Sequence, residues 1–240
     1  MEDGEMRLIF IDEIEQPQKQ PGFFGVSSLV IDSSHYRTLR EGVGDALETA
    51  GWNLAAEFKG RFIFSSKGDP SVSIDNRIEL VRKIVATTTA KKNARARFCF
   101  AHNNDGKTTA NYLKLVSKVA GRCPKPQNQT QDKPLVSIYL DDTELVTPRD
   151  VEAVVLPVFE ERYLELVETP VLLPSSNSTV GLIAADVLAY LKSWDVLSPN
   201  PNEAQQAALF DAPVESLNGK KLATIREILE SIKHVEVIKT

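Results

Sequence analysis

Acidic side chains recur in this chain among apolar neighbours, where an isolated carboxylate is costly to bury. The set consists of Asp12, Glu57, the adjacent pair Asp141 and Asp142, and Asp186. Carboxylates are the preferred protein ligands of Mg²⁺ and Mn²⁺, and one pair of divalent ions could satisfy four of them. The set therefore suggests a metal centre. The alternative is that each acid makes its own salt bridge or cap.

Two of these positions lie at the ends of predicted strands. Residues 8–11 are four consecutive apolar residues that end at Asp12, and the apolar run 135–142 ends in Asp141 and Asp142. If both strands are central and parallel, their carboxylates converge at one edge of the sheet. Strand alternation puts Asp141 and Asp142 on opposite faces, so Asp142 is the alternative ligand to Asp141.

Predicted strands and helices alternate along the rest of the chain, which indicates α/β layering. Residues 23–31 predict a strand that pairs with the first strand as an antiparallel hairpin. Hydrophobic periodicity predicts helices, and Pro157 is expected to kink or divide the helix that follows Thr147. The other helices are expected near 36–50, with Ser33 or Ser34 as N-cap, and near 75–85, 108–120 and 180–194; further strands are expected at 54–65, 95–101 and 167–173.

Composition places the chain among ordinary globular proteins. Of its 240 residues, 42% are hydrophobic and 25% charged, and the formal charge is -5. No apolar run approaches the ~20 residues that span a membrane, and the first residues are acidic where a signal peptide is basic. We therefore expect a cytoplasmic protein with no membrane partner. The two cysteines lack CxxC spacing, which argues against a cysteine zinc site.

The C-terminal part has a different composition. Residues 198–213 read as a linker, and an amphipathic helix with a short β-like tail follows. We expect a main domain over residues 6–196. Residues 197–240 are expected to be a linker and a helix that packs on that domain or on a second subunit, which would make a homo-oligomer.

A short basic cluster precedes the strand predicted at 95–101. It contains Lys91, Lys92, Arg95 and Arg97. Such a turn is more often plain solvated surface, and the alternative is a local patch that contacts a nucleic acid despite the acidic total charge.

Residues 101–108 match a relaxed Walker A pattern between a strand and a helix, a place where backbone N–H groups and a lysine bind phosphate. The loop lacks the first glycine, and Asp105 stands beside the would-be phosphate, where its charge would repel it. A strand-to-helix turn that happens to contain Lys107 explains the match better than a nucleotide site.

Several short segments, taken in order, resemble the family called domain of unknown function 3800, which is similar to the ribonuclease H superfamily. The resemblance spans residues 6–194, and its segments are Ile11-Asp12-Glu13, Glu57-Phe58-Lys59, Ile138-Tyr139-Leu140-Asp141, and Ser175 followed by Gly181 through Ala189. Two positions depart from the family pattern. Ile14 stands where the family usually has serine, and Ile183 where it has glutamine.

This resemblance implies an α/β, ribonuclease-H-like mixed central sheet flanked by helices on both faces, here with a C-terminal helical extension. It implies that Asp12 bridges two Mg²⁺ or Mn²⁺ ions about 4 Å apart. Glu57, Asp141 and Asp186 would complete the shell, and Lys59 would contact a substrate phosphate. The expected activity is that of a metal-dependent nuclease or phosphodiester hydrolase. Because the isoleucines replace polar side chains, an inactive binding or assembly module is the alternative.

Overall fold

The fold is taken from a computed structural model. The structure describes residues 6–15, 21–53, 58–64, 69, 71–89, 96–126, 132–174, 179–197, 217–230 and 235–240.

A mixed sheet of seven strands forms the centre of the described chain. The strands run in the order β5-β4-β1-β2-β3-β7, and β6 also pairs with β4. Their bounds are β1 (Met6–Glu15), β2 (Phe24–Asp32), β3 (Arg97–Asn103), β4 (Leu135–Asp141), β5 (Glu165–Leu166), β6 (Val171–Leu173) and β7 (Val235–Lys239).

The register of β1 brings two acidic residues to the same edge of the sheet. β1 pairs with β2 in the antiparallel sense, as the predicted hairpin requires, and with β4 in the parallel sense. Ile11 lies opposite Leu140 in the parallel pair, so the next residues, Asp12 and Asp141, lie side by side on neighbouring strands. The expectation that these two strands are central and parallel is confirmed.

Six α-helices and one 3₁₀ turn (Gly60–Phe62) complete the described structure. Thr108 caps one helix by accepting a hydrogen bond from the Asn111 backbone N–H, and Thr147 forms a capping box with Asp150. The helices are α1 (Ser33–Thr49), α2 (Ile74–Thr89), α3 (Thr109–Ala120), α4 (Pro148–Glu161), α5 (Val180–Leu197) and α6 (Leu217–Glu230).

Helices cover both faces of the sheet, as its central strands, which are buried over most of their length, require. Leu8 and Phe10 of β1 pack in one core with buried residues of α1, α2, α5 and α6. Ile9 and Ile11 pack in the other core with α3 and α4. Asp12 continues the alternation of Leu8 and Phe10, so its side chain belongs to the α5 face.

The C-terminal elements join this body. β7 pairs in parallel with β3, from Phe98 opposite Val235 to His102 opposite Lys239. α6 contributes Ile225 and Ile228 to the core that contains α5.

Two predicted strands differ in the structure. The described part of the strand predicted at 54–65 contains the 3₁₀ turn, because Phe58 and Ile63 are buried by packing inward from an irregular segment. Of the strand predicted at 167–173, only Val171–Leu173 is a strand (β6), and β5 (Glu165–Leu166) precedes the predicted range. Pro170, just before β6, has no N–H to donate to a ladder.

Two helix details also differ. Asp32, rather than Ser33 or Ser34, occupies the N-cap position of α1. α4 continues through Pro157, which is exposed, while Val151, Val155 and Phe159 keep one face buried. Water can reach the carbonyl that this proline leaves unbonded, so packing holds the helix together as a single element.

None of the described helices is both long enough and apolar enough to cross a membrane.

Candidate functional site

Asp12 is the most deeply placed acid of the predicted set, with only 5% of its surface exposed. Its Oδ1 accepts a hydrogen bond of 2.7 Å from the Glu13 backbone N–H. Ser27 on β2 donates to the backbone carbonyls of Asp12 and of Ala185 on α5, at 3.4 and 3.2 Å. These bonds link Asp12 of β1 to α5 and hold the Asp12 carboxylate in position.

Asp141 and Asp186 join Asp12 at this end of the sheet. Asp141 follows Leu140, which belongs to the core of the opposite face, so alternation turns Asp141 toward α5. Asp186 lies on α5 and accepts a hydrogen bond from the Gly60 backbone N–H. Its side chain lies near that of Asp12, and both line the same cleft. Two buried carboxyl groups near each other disfavour the state in which both are ionised.

Burial makes Asp12 and Asp186 hold their protons more tightly than ordinary aspartates. It raises the pKa of Asp12 well above its usual range, and the charges of Asp186 and Asp141 add to this. Burial also raises the pKa of Asp186 to about 6, although the Gly60 N–H and the Lys59 charge oppose the shift. A bound cation would stabilise the ionised forms of both carboxylates.

Lys59 is a positive charge within this group of acids. Its Nζ lies 3.1 Å from Oδ2 of Asp141, and both side chains are largely buried, with 20% and 15% of their surfaces exposed. The Lys59 charge also lowers the pKa of Asp12 and Asp186. The lysine therefore acts as counter-ion to all three acids.

Gly60 holds Lys59 in position through a very close packing contact. A Cβ at Gly60 would lie 2.7 Å from Cβ of Tyr190 and 3.2 Å from the backbone carbonyl oxygen of Asp186. Only glycine lets the segment approach α5 closely enough for its N–H to reach the Asp186 carboxylate. Sequence reasoning missed this residue, although its position directly after Lys59 was a signal.

Asp12, Asp141 and Asp186 line a cleft with a volume of about 560 Å³. Among the residues that the structure describes, five carboxylates and three cations line it, which leaves a formal excess of two negative charges. Ile14, Tyr190 and Trp194 form its uncharged wall. The carboxylates are Asp12, Glu13, Glu15, Asp141 and Asp186, and the cations are Lys59, Arg61 and Lys107.

Lys107, the lysine of the Walker-like loop, contacts acids of β1. Its Nζ lies 2.5 Å from Oε1 of Glu13 and 3.7 Å from Oε2 of Glu15. Burial raises the pKa of Glu13, and the hydrogen bond from Lys107 opposes that rise. In this position Lys107 is the counter-ion of Glu13 and Glu15, near the end of β1. This weakens the case for a phosphate-binding loop.

The other predicted site residues fall elsewhere. Asp142 does not line the cleft, and its backbone N–H donates to the Leu173 carbonyl. Glu57 lies outside the described residues, as do the basic residues Lys91, Lys92 and Arg95, so the structure says nothing about their roles.

Ile14 and Ile183, the two departures from the family pattern, both pack against the core of the α5 face. Of these two, only Ile14 also lines the cleft.

Asp12, Asp141 and Asp186 do not yet form a set of metal ligands. Within the part of the chain that the structure describes, no three His, Cys, Asp or Glu side chains are grouped so that they could hold a metal ion. The donor chemistry nevertheless suits a hard divalent cation, because three carboxylates line one cleft.

Comparison with models of known protein families finds no match to this chain, and comparison with curated proteins finds none either.

Proposed function

We propose that this chain is a Mg²⁺- or Mn²⁺-dependent nuclease, or a related phosphodiester hydrolase, with a ribonuclease-H-like fold. One observation carries the proposal: Asp12, Asp141 and Asp186 come from three distant parts of the sequence and meet at one end of the sheet. Placing carboxylates together in a buried setting costs free energy, so their convergence favours a cationic ligand.

The architecture supports the same proposal. The resemblance to the domain of unknown function 3800 family implies a mixed sheet with helices on both faces and an acidic cluster at one end. The chain has a mixed sheet and two helical layers. Its three acids lie on β1, β4 and α5, in the sequence order that the resemblance implies.

Asp12, Asp141 and Asp186 would hold the ions, with Glu57 as the fourth ligand that the resemblance supplies. Bound ions of this kind lower the pKa of a water molecule and stabilise the oxygen that leaves a phosphodiester. Asp12 has both neighbouring acids within electrostatic reach, so it is the residue that would bridge two ions.

The cations of the cleft would orient the substrate. Lys59 contacts Asp141 in the structure. If Asp141 turned to a bound ion, the Lys59 ammonium group would be placed to face a phosphate. Arg61, exposed at the rim of the cleft, offers a planar donor suited to the same group.

Two measurements on matched variants test the proposal. Calorimetry with Mn²⁺ and with Mg²⁺ should detect binding to the wild type, and Asp12→Asn should weaken that binding and reduce cleavage of RNA or DNA about 100-fold or more. Asp45→Asn removes an exposed carboxylate of α1 and serves as the control. The proposal fails if neither ion binds or if Asp12→Asn cleaves like the control.

A non-catalytic binding or assembly module is the second candidate, favoured by a specific observation. Lys59 already pairs with Asp141, and the Gly60 N–H already bonds to Asp186, so the chain partly satisfies its own acids. If Mn²⁺ leaves the thermal stability of the wild type unchanged and no diester is cleaved, this second function is the better description.

A further inference from the structure

A single face of α5 carries three residues of the cleft at helical spacing. Asp186, Tyr190 and Trp194 follow one another at intervals of four residues, and all three line the cleft. With a rise of 1.5 Å per residue, the second and third stand about 6 and 12 Å from the first along the helix axis. The face therefore leads from the acids to an aromatic wall.

Trp194 presents an aromatic side chain to the cleft. It is half-buried, and its ring centroid lies 6.2 Å from that of Tyr190. Its indole lies beside the Tyr190 hydroxyl, and this contact opposes the rise in the pKa of Tyr190 that burial causes. The two rings together give the cleft an aromatic surface.

We propose that the cleft takes single-stranded nucleic acid, with an unpaired base stacked on Trp194 while the phosphodiester to be cleaved lies at Asp12 and Asp186. This inference rests on the proposed function and adds its substrate class. Stacked nucleotides of one strand are about 3.4 Å apart, so a 12 Å span corresponds to roughly three or four of them.

The combination of charge and aromatic surface favours a nucleic acid over an apolar peptide. Eight charged side chains of the described residues line the cleft. An apolar peptide would displace the water that solvates them and would offer neither charges nor hydrogen bonds in its place. A nucleotide chain presents phosphates to Lys59, Arg61 and Lys107 and a flat base to the wall. The divalent cations of the proposed function would offset the negative excess of the cleft.

The same wall favours single strands over duplexes. Bases within a duplex are covered on both faces by their neighbours, so an aromatic side chain can stack only on a base that is unpaired or splayed out. Stacking is tolerant of sequence, because every base has a π-face.

Tryptophan fluorescence tests this inference directly. The chain contains two tryptophans, and Trp52 is 4% exposed and packed edge-on against Phe58. A six-nucleotide oligothymidylate or oligouridylate, added with Ca²⁺, should quench Trp194 saturably. We expect it to bind at least about tenfold more tightly than the dinucleotide, which is too short to reach both ends of the span, and than a hairpin duplex of similar length.

Two variants separate stacking from folding. Trp194→Leu keeps an apolar side chain without a π-face and should weaken binding of the hexanucleotide about 5- to 150-fold. Trp194→Phe keeps an aromatic ring and should recover much of that loss; urea unfolding checks that both variants fold. Equal affinity of the wild type and Trp194→Leu, or equal affinity for the hexanucleotide and the duplex, would overturn the inference.

Hydrolysis of bis(p-nitrophenyl) phosphate by the wild type with Mn²⁺ separates this inference from the proposed function, because that diester has no base. Hydrolysis without quenching by the hexanucleotide overturns the stacking inference and leaves the function standing. Because Trp194→Leu lacks the fluorescent reporter, calorimetry measures its binding of the hexanucleotide. Weaker binding by Trp194→Leu, without hydrolysis of the hexanucleotide or of bis(p-nitrophenyl) phosphate by the wild type, supports single-strand binding and contradicts the nuclease.

Discussion

At the scale of single residues, the strand face that each carboxylate occupies decides which acids meet. Asp12 and Asp141 lie on adjacent parallel strands, on the face of the sheet that packs against α5. Asp186 lies on α5 itself. Asp142 lies one residue beyond the end of β4, and it does not line the cleft.

This register predicts different outcomes for two neighbouring substitutions. Asp141→Asn should lower metal-dependent cleavage about 100-fold or more, because it removes a charged ligand. Asp142→Asn makes the same chemical change one residue away and should have a much smaller effect. Initial rates with a fluorescent oligonucleotide compare the two, and a larger loss in Asp142→Asn would mean that the assigned strand register does not hold.

The raised pKa values of Asp12 and Asp186 predict a pH dependence of stability in EDTA. Their folded-state pKa values are raised, to about 6 for Asp186, so the folded protein binds protons more tightly than the unfolded chain. Stability from this pair is therefore fully present below the ordinary aspartate value of 3.8 and is lost as the pH rises through 6 and beyond.

Urea unfolding between pH 4 and pH 8 measures this loss. Over that range the wild type should lose on the order of 2 kcal/mol more than Asp12→Asn, in which one member of the pair no longer ionises. Parallel pH profiles for the two proteins would show that the carboxylates are not coupled.

At the scale of elements, the site depends on how closely one irregular segment approaches α5. Phe58 and Ile63 anchor residues 58–64 in the core, and Gly60 between them touches the helix backbone. This contact brings the Lys59 ammonium group to the acids and the Gly60 N–H to Asp186. The position of the counter-ion is therefore set by packing.

Two glycine substitutions test this contact. Gly60→Ala should destabilise the protein by about 1–3 kcal/mol, because the new methyl group overlaps Tyr190 and forces the segment away from α5. Gly44→Ala in α1 meets no atom within 4 Å and should instead stabilise by about 0.5–1 kcal/mol. Urea unfolding measures both, and a neutral Gly60→Ala would exclude the close approach.

At the scale of the whole molecule, the sheet combines segments from both ends of the described chain. β1 lies centrally between β2 and β4, while β7 closes the far side of β3. The Thr240 backbone N–H also donates to the His102 carbonyl at 3.1 Å. His102 itself is buried between Phe23 and Phe100, stacked on both, and burial lowers its pKa. Its environment is that of a core residue.

Removal of residues 235–240 should expose the edge of β3. Loss of the ladder hydrogen bonds should destabilise the protein by a few kcal/mol, at roughly 1 kcal/mol per bond. The uncovered edge should also promote association between molecules. Urea unfolding and size-exclusion chromatography measure these effects, with deletion of Thr240 alone as the control. Unchanged stability of the longer deletion would mean that β7 contributes little to the body.

Local pattern was enough for much of the fold. Apolar runs located β1 and β4, and helical periodicity located α1, α2, α3 and α5, because both signals reflect burial of a face that the sequence itself defines. Local pattern wrongly predicted a strand at residues 58–64, where the phenylalanines are buried without strand pairing. It also did not show that α4 continues as one helix through Pro157, where packing of the flanking valines outweighs a lost hydrogen bond.

The sequence by itself determined the candidate acids and the faces of their strands, since alternation follows from the backbone alone. Only the tertiary structure decided that Asp12, Asp141 and Asp186 meet, that Lys59 stands among them, and that Trp194 shares their cleft. The physical reason is that these contacts join segments far apart in the sequence, such as Gly60 and Asp186, which are 126 residues apart. Strand order and helix packing create such proximity, and neither is encoded in any local stretch of the chain.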